Sequence, residues 1–492
     1  MPKLSRREML ENSMFAATAA LASGAAGPLF AAEAGDKPAP KKVGPNEKIG
    51  IACIGVRSRG KEHLQAFMKH PDADIRYVVD VDETIGQREA EAVAKVTGRK
   101  PKWVADMRKA FEDPAVNAIS TATPNHWHSL VAIWAMQAGK DVYVEKPVSH
   151  NVSEGRRAIE AARKYDRICQ TGTQCRSMGG TIDAVNFVHQ GKIGEVNLAR
   201  GLCYKRRGSI GPRGDYPVPS SVNYDLWVGP APMEPPHRKQ FHYDWHWFWN
   251  YGCGDLGNQG IHQMDIARWG LQLDALPNHV MSYGGRLGYE PNEAGETANT
   301  QVILHDYGPK TLVFEVRGLE TKDLKGAKVG VIFEGTEGYV VLTSYTNGAA
   351  FDKQGKMLRA FKGDGDHFGN FLNVVRTRNR TDLHADIREG HLSSALCHLG
   401  NISYRLGEQV AFKTAKEKLQ GIPSHDNNQE TFERFENHLA DNHVAVDSVK
   451  IALGENLPFD AKGEKFTSNE RANALLTRDY RAPYVVPAEG HV

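Results

Sequence analysis

Ile49-Gly50-Ile51-Ala52-Cys53-Ile54-Gly55-Val56-Arg57-Ser58-Arg59-Gly60 is the stretch that decides the fold. A short apolar run that stops at a glycine is the pattern of a strand buried on both faces of a parallel sheet. Leu64, Phe67 and Met68 follow at helical spacing, so the turn joins a strand to a helix. In that setting helix-start amides and the helix dipole can receive a pyrophosphate, which makes Gly55, Arg57, Ser58, Arg59 and Gly60 candidate cofactor ligands. The next strand, residues 75–79, ends in Asp80, 25 residues after Gly55. A carboxylate there accepts from ribose hydroxyls, and with Asp82 close by and no arginine placed for a 2′-phosphate, NAD is favoured over NADP. A G-x-G-x-x-G motif would have its second glycine at position 57, where this chain has Arg57. Either the loop stands slightly off the pyrophosphate or the guanidinium pairs with phosphate.

Moving outward, residues 116–121 read as a strand, followed by Thr123-Pro124-Asn125-His126-Trp127-His128 and a helix through Leu130, Val131, Trp134 and Met136. Gly139 ends that helix, a strand at 141–144 finishes in Glu145-Lys146-Pro147, and a helix (153–165) and strand (168–171) follow. The alternation predicts an α/β, doubly wound parallel sheet, whose ligands sit at the carboxyl ends of strands, where Thr123, Asn125, His128, Glu145 and Lys146 fall. From residue 173 the pattern changes. Strands are expected at 195–205, 280–283, 299–304, 311–318 and 329–342, with helices at 368–378, 391–406 and 430–438, which predicts a large, open, mostly antiparallel sheet.

Between these lies Phe241-His242-Tyr243-Asp244-Trp245-His246-Trp247-Phe248-Trp249-Asn250-Tyr251. Rings with polar tips suit a sugar, whose C–H faces pack on aromatics while its hydroxyls need donors and acceptors, so Tyr243, Trp245 and His246 are expected in a pocket wall. The following Gly260-Ile261-His262-Gln263-Met264-Asp265 opens a helix. Asn258, His262 and Asp265 are spaced to share one face. Arg176 and the basic turn at Lys205-Arg206-Arg207 are candidates for an anionic substrate group. No His, Glu or Asp set has metal-site spacing, so no metal is expected.

The T-P-N-x-x-H segment, Glu145-Lys146-Pro147 and the His262 segment together resemble the glucose-fructose oxidoreductase / inositol dehydrogenase / MocA (Gfo/Idh/MocA) family over nearly everything from Lys48 onward. The resemblance implies a Rossmann domain followed by an α/β domain that forms a homo-oligomer, and oxidation of a CH–OH group of a sugar, glycoside or cyclitol. It assigns His262 the substrate hydroxyl proton and gives Lys146 the task of orienting or polarising the same oxygen. Asn258 departs from the aspartate of inositol-dehydrogenase-like members; an amide can hydrogen-bond a hydroxyl but cannot tune Lys146 by charge. Two other readings stand beside this one: an NAD-dependent sugar-modifying enzyme with a closed hydride cycle (glycosidase, epimerase or sugar–sugar oxidoreductase), and a non-catalytic sugar-binding protein with a decayed nucleotide site.

The N-terminus reads as an address. Ser5-Arg6-Arg7-Glu8-Met9-Leu10, a mildly apolar stretch and Ala32-Glu33-Ala34 form a Tat-type signal over residues 1–34, which predicts a periplasmic protein. A Pro/Lys/Gly linker at 35–46 leads to an expected nucleotide domain at 47–172 and a substrate and oligomerisation domain at 173–492. The 492 residues are 40% hydrophobic and 24% charged, a globular balance. With 61 Lys+Arg against 59 Asp+Glu, the net charge of +2 gives no field that favours nucleic acid, and no membrane contact is expected once the signal is removed. Six scattered cysteines contain no C-x-x-C pair, so neither a disulfide framework nor a zinc ribbon is expected.

Overall fold

The computed structural model describes Gly44 and residues 47–492; the expected export signal lies outside the described residues, as does the linker apart from Gly44. The first sheet comprises β1 (Ile49–Ile54), β2 (Ala73–Val79), β3 (Lys102–Val104), β4 (Ala118–Thr121), β5 (Asp141–Val144) and β6 (Cys169–Thr171). All pairs are parallel and the order is β3-β2-β1-β4-β5-β6. Every residue of β1 is buried, which is why that strand reads as an unbroken apolar run. Helices Arg59–Lys69 and Glu83–Thr97 cover one face, helices His128–Gln137 and Val152–Lys164 the other. The strand order reverses between β1 and β4, which opens a crevice at their carboxyl ends.

The second sheet is mixed. Its strands are β7 (Val196–Tyr204), β8 (His279–Gly285), β9 (Thr300–Asp306), β10 (Thr311–Arg317), β11 (Val329–Gly335), β12 (Gly338–Leu342), β13 (Asn347–Asp352), β14 (Met357–Lys362), β15 (Glu408–Ala411), β16 (Lys450–Leu453), β17 (Leu457–Asp460) and β18 (Lys465–Phe466). The main path runs β14-β13-β12-β11-β7-β10-β9-β8-β16-β15, and β7 with β10 is its parallel pair. The single strand expected at 329–342 is two, because Thr336 and Glu337 turn between flanking glycines. Helices Gly179–His189, Gly260–Gly270 and Ile387–Leu406 fill the inner face around Phe314, Phe333 and Ile303. The outer face over β7–β10 is covered by the chain's own helices Phe412–Leu419 and Asn428–Asp441.

Two features cross the expected division at residue 172. Helix His367–Thr377 packs Phe371, Leu372 and Val375 onto the first sheet, and His367 Nε2 meets the Thr171 carbonyl at 2.8 Å. The C-terminal segment returns to the same lobe, where Tyr484 and Val486 pack beside Trp127. All six cysteines are buried and unpaired, and burial pushes the thiol of each upward.

Candidate functional site

A cleft of about 260 Å³ runs along the carboxyl ends of β1, β2, β4 and β5. Its floor begins at the loop after β1. Gly55 has φ +72°, and a Cβ there would stand 2.9 Å from the Thr123 amide nitrogen, so glycine is required. A Cβ on Gly60 would collide with the Gly55 carbonyl oxygen, so this second glycine allows the helix to start against the strand. Ser58, at φ 47°, also lies in the left-handed region, and its side chain makes no cap bond. The backbone N–H groups of Arg57 and Ser58 donate to no acceptor among the described residues. Asp80 accepts from the Val56 and Asp82 amides, each at 3.0 Å, and burial pushes its carboxyl up to about 6. Each Asp80 oxygen keeps a lone pair for a further donor. The buried Asn125 side-chain oxygen, also in the cleft wall, has no partner. Free loop amides, an unpaired amide oxygen, a half-buried acid and apolar walls at Ile85, Met107 and Trp127 fit a dinucleotide.

The opposite end holds the charged groups. Glu145 accepts from Arg59 Nε at 2.7 Å and from His63 Nε2 at 3.0 Å. Burial raises its carboxyl, but Arg59, His63 and Lys146 outweigh this and hold it well below the usual range. Arg59 also pairs with Glu62, so its guanidinium is committed to carboxylates. His128 lies between the Pro147 and Thr123 carbonyls, at 2.6 and 2.7 Å, and ties the two turns together. Lys146 Nζ crosses to the second lobe and donates to the Asn258 carbonyl at 2.8 Å. Burial lowers the Lys146 ammonium, while Glu145 works against that fall.

Asn258 ends the short helix Gly254–Asn258, and Gln259 interrupts the chain before helix Gly260–Gly270. It reaches Lys146 through its backbone; its side-chain amide lies 3.5 Å from Asp255, which Arg207 clamps with two bonds of 2.7 Å. His262, in the first turn of helix Gly260–Gly270, is buried and is not among the residues that line the cleft; its ring is 4.9 Å from Tyr345 and its Nδ1 has no partner. Burial, then the charge of Lys146, holds its imidazole well below the ordinary value.

The aromatic segment forms the other wall: Tyr243, Trp245 and His246 all line the cleft. His246 stacks on Trp245 at 3.6 Å between ring centres and places Nδ1 2.5 Å from the Tyr243 carbonyl. That contact fixes the proton on Nδ1 and leaves Nε2 as an acceptor. Burial and Lys146 hold the ring neutral, down to about 3. The sequence placed His246 in a wall; the structure also makes it a base-bearing neighbour of Lys146.

Two expected substrate residues are elsewhere, and this is a correction. Arg176 donates to both Asp265 oxygens at 2.8 and 2.9 Å, and Asp265 also accepts from Ser393 at 2.7 Å. Both are buried, and Arg176 faces the Trp269 ring at 5.2 Å. Their charges are spent on each other, so they brace helix Gly260–Gly270 instead of meeting a ligand. The helical spacing that grouped Asp265 with His262 could not reveal a partner 89 residues away.

The residues between β7 and helix Gly254–Asn258 also supply contacts that the sequence did not signal. Asn223 N–H donates to the Val81 carbonyl at 2.9 Å and Glu83 N–H to Ser221 at 3.0 Å. His242 Nε2 meets Asp82 Oδ2 at 2.9 Å, and Arg57 donates to the His242 carbonyl at 3.3 Å. Across the cleft, Trp127 Nε1 donates to the Leu226 and Trp227 carbonyls, both at 3.1 Å. Among the described residues no cluster of ligating side chains could hold a metal ion, and no helix is long and apolar enough to cross a membrane.

Residues 49–173 match a family model described as oxidoreductase family, NAD-binding Rossmann fold, and residues 211–433 match its companion, the C-terminal alpha/beta domain. The chain is similar to the levoglucosan dehydrogenase of Pseudarthrobacter phenanthrenivorans, at 22% identity over 65% of this chain and 77% of the relative. The scyllo-inositol 2-dehydrogenase (NAD(+)) of Bacillus subtilis is 34% identical over 32% of this chain and 44% of its own length. A glycosyl hydrolase family 109 protein of Shewanella pealeana is 26% identical over 39% of this chain. The chain spans 44% of that hydrolase, less than half its length. Among solved structures, the WlbA dehydrogenase of Chromobactrium violaceum, in complex with NADH and UDP-GlcNAcA, shares the fold: TM-score 0.56 and 18% identity, over 74% of this chain and 96% of that one.

Proposed function

The chain belongs to the Gfo/Idh/MocA oxidoreductase family, and from that premise we propose that it oxidises a CH–OH group of a sugar, glycoside or cyclitol with NAD. The observation that carries the reading is the bond of Lys146 to the Asn258 carbonyl, which puts an ammonium at the junction of the two lobes in the nucleotide cleft. The loop amides, Asp80, Thr123 and Asn125 would hold the nucleotide, and when bound it supplies the acceptor for the hydride. Residues 47–172 supply that half of the site and residues 173–492 the other.

Lys146 orients the substrate oxygen and favours its negative charge as the hydroxyl proton departs. His262, held neutral by burial and by Lys146, takes that proton. The stacked rings of Trp245 and His246 offer a flat surface for the C–H face of a sugar ring. A second reading, a closed hydride cycle returning the sugar to its starting oxidation level, is favoured by the cover that residues 221–251 place over the cleft. We further propose that residues 1–34 direct the folded protein through the twin-arginine route to the periplasm; fractionating cells that carry Arg6→Lys and Arg7→Lys tests this, and an unchanged distribution rejects it.

The activity is tested by mixing stoichiometric enzyme with NAD and levoglucosan, scyllo-inositol or simple hexoses, following absorbance at 340 nm and product by mass spectrometry. Dehydrogenation gives a 340 nm signal matching product, and a closed cycle gives product without that signal. His262→Asn and Lys146→Met should remove both, and turnover unchanged by either substitution would reject the assigned roles.

A further inference from the structure

Helix Tyr224–Val228 is five residues long, too short to keep its shape alone. Two of its side chains, Leu226 and Trp227, nevertheless line the nucleotide cleft. The helix starts at the adenosine end. Asn223, its cap, donates its backbone N–H at 2.9 Å to the carbonyl of Val81, the residue after Asp80, and an acid at that place in a Rossmann sheet meets the adenosine ribose. Ile85 and Met107 of the first lobe line the same cleft, so apolar side chains from both lobes are at hand for a purine ring.

The last carbonyls of a helix need donors from outside it. Here two distant parts of the chain supply them. From the first lobe, Trp127 Nε1 donates to the Leu226 and Trp227 carbonyls, and Gly229, at φ +50°, passes so near that a Cβ would collide with the Trp127 ring. The other donors come from Arg481, 252 residues beyond Gly229. Its Nε donates to the Gly229 carbonyl at 2.9 Å, its Nη2 to the Asp225 carbonyl at 2.8 Å and its Nη1 to the Asp225 carboxylate at 2.7 Å. Tyr484 OH donates to the other Asp225 carboxylate oxygen at 2.7 Å, and the guanidinium faces the Tyr484 ring at 4.8 Å. One planar group thus spans the helix from its first turn to the residue beyond its end. The segment that carries Arg481 is itself held at the start of helix Val152–Lys164: Ser153 N–H donates to the Leu476 carbonyl at 2.9 Å and Tyr480 OH to Glu154 at 3.1 Å.

We propose that Arg481 is a positioning residue for the adenosine half of NAD: it holds helix Tyr224–Val228 where Leu226 and Trp227 pack on the adenine ring. This rests on the reading of the cleft as an NAD site. Arg481 does not line the cleft, so it acts through the helix. The Asp225 carboxylate is exposed and adds little as an ion pair; the two carbonyl bonds, which need donors set in a fixed fork, carry the attachment.

Calorimetry on the full chain tests this with NAD and with ADP-ribose, which has the adenosine half without the nicotinamide. Arg481→Met keeps a stem beside Tyr484 but loses every donor. It should bind both ligands about tenfold more weakly and by the same factor, the size of one lost hydrogen bond to a charged donor, with unchanged circular dichroism. Arg481→Lys keeps the charge without the fork and should remain about threefold weak; if Arg481→Met does not fold, this variant decides alone. Wild-type affinity in either folded variant, or a loss seen with NAD but not with ADP-ribose, overturns the role of Arg481 and leaves the NAD site standing. A wild-type chain that binds neither ligand at millimolar concentration overturns the functional reading and the positioning role with it.

Discussion

Lys146 is half-buried, and Glu145, just before it in the chain, favours its charged form with a carboxylate whose own neighbours keep it ionised. Arg59 and His63 are therefore positioning residues that act on Lys146 through Glu145. The sign of the pH dependence follows. The Lys146 ammonium, lowered from 10.5, is lost as pH rises through the lowered value; the His262 imidazole, held well below 6.5, charges only as pH falls through that lower value. A plot of kcat/KM against pH should be bell-shaped, with an acid limb well below 6.5 and an alkaline limb below 10.5. An alkaline limb at the ordinary lysine value would count against Lys146. Lys146→Met should lower kcat/KM about 10²- to 10⁴-fold, the range for a positioned proton-transfer group. At this scale the sequence was informative about place: Thr123 and Lys146, expected at strand ends, both line the cleft there. It was uninformative where a charge is satisfied from afar, as Arg176 is by Asp265.

The elements show why the local patterns could be read. Strand β1 is found over the same residues as its apolar run, because a strand buried on both faces admits little else. Helix Arg59–Lys69 begins where Gly60 permits it to touch the preceding turn. Gly60→Ala should push that helix from β1, reducing NAD affinity at least tenfold by calorimetry; full affinity would show that the packing is slack. Helix Val152–Lys164 carries a titrating carboxyl. Burial raises Glu154 to about 7, and it accepts from His150 N–H, Asn151 Nδ2 and Tyr480 OH at 2.8, 2.9 and 3.1 Å. A carboxyl raised on folding stabilises fully below its unfolded value, near 4.5, and that contribution is lost as pH rises through about 7. Glu154→Gln lacks this titration, so its stability relative to wild type should rise between pH 4.5 and 7 by up to about 3 kcal/mol, measured by urea unfolding. A constant difference would place the Glu154 value near normal. The later strands were less legible: β13 and β14 are half exposed and lack an apolar run, so only their pairing defines them.

At the scale of the whole molecule, two sheets share their helices. Helix His367–Thr377 belongs to the second half in sequence and to the first sheet in space, so a division at residue 172 separates what packing joins. The outer face that an open sheet would offer to a second copy is partly taken by helices Phe412–Leu419 and Asn428–Asp441. Beneath them Glu315 pairs with Arg200, Arg317 and Arg434 at 2.8, 2.9 and 2.8 Å, an ionic cluster that ties helix Asn428–Asp441 to the sheet. We propose that the homo-oligomer implied by the family resemblance uses the region of β11–β14, where Met357 and Leu358 are exposed; Leu358→Asp should then reduce the mass seen by light scattering. An unchanged mass would reject that surface. None of this was legible in composition, because it depends on which distant elements lie face to face.

The sealed sulfurs have a last consequence. A maleimide should label none of the six native cysteines and all of them in guanidinium, since none offers a thiolate at the surface. Glutathione or open air would then find no cysteine to pair, and a passage from reducing to oxidising surroundings would leave the six thiols as they are.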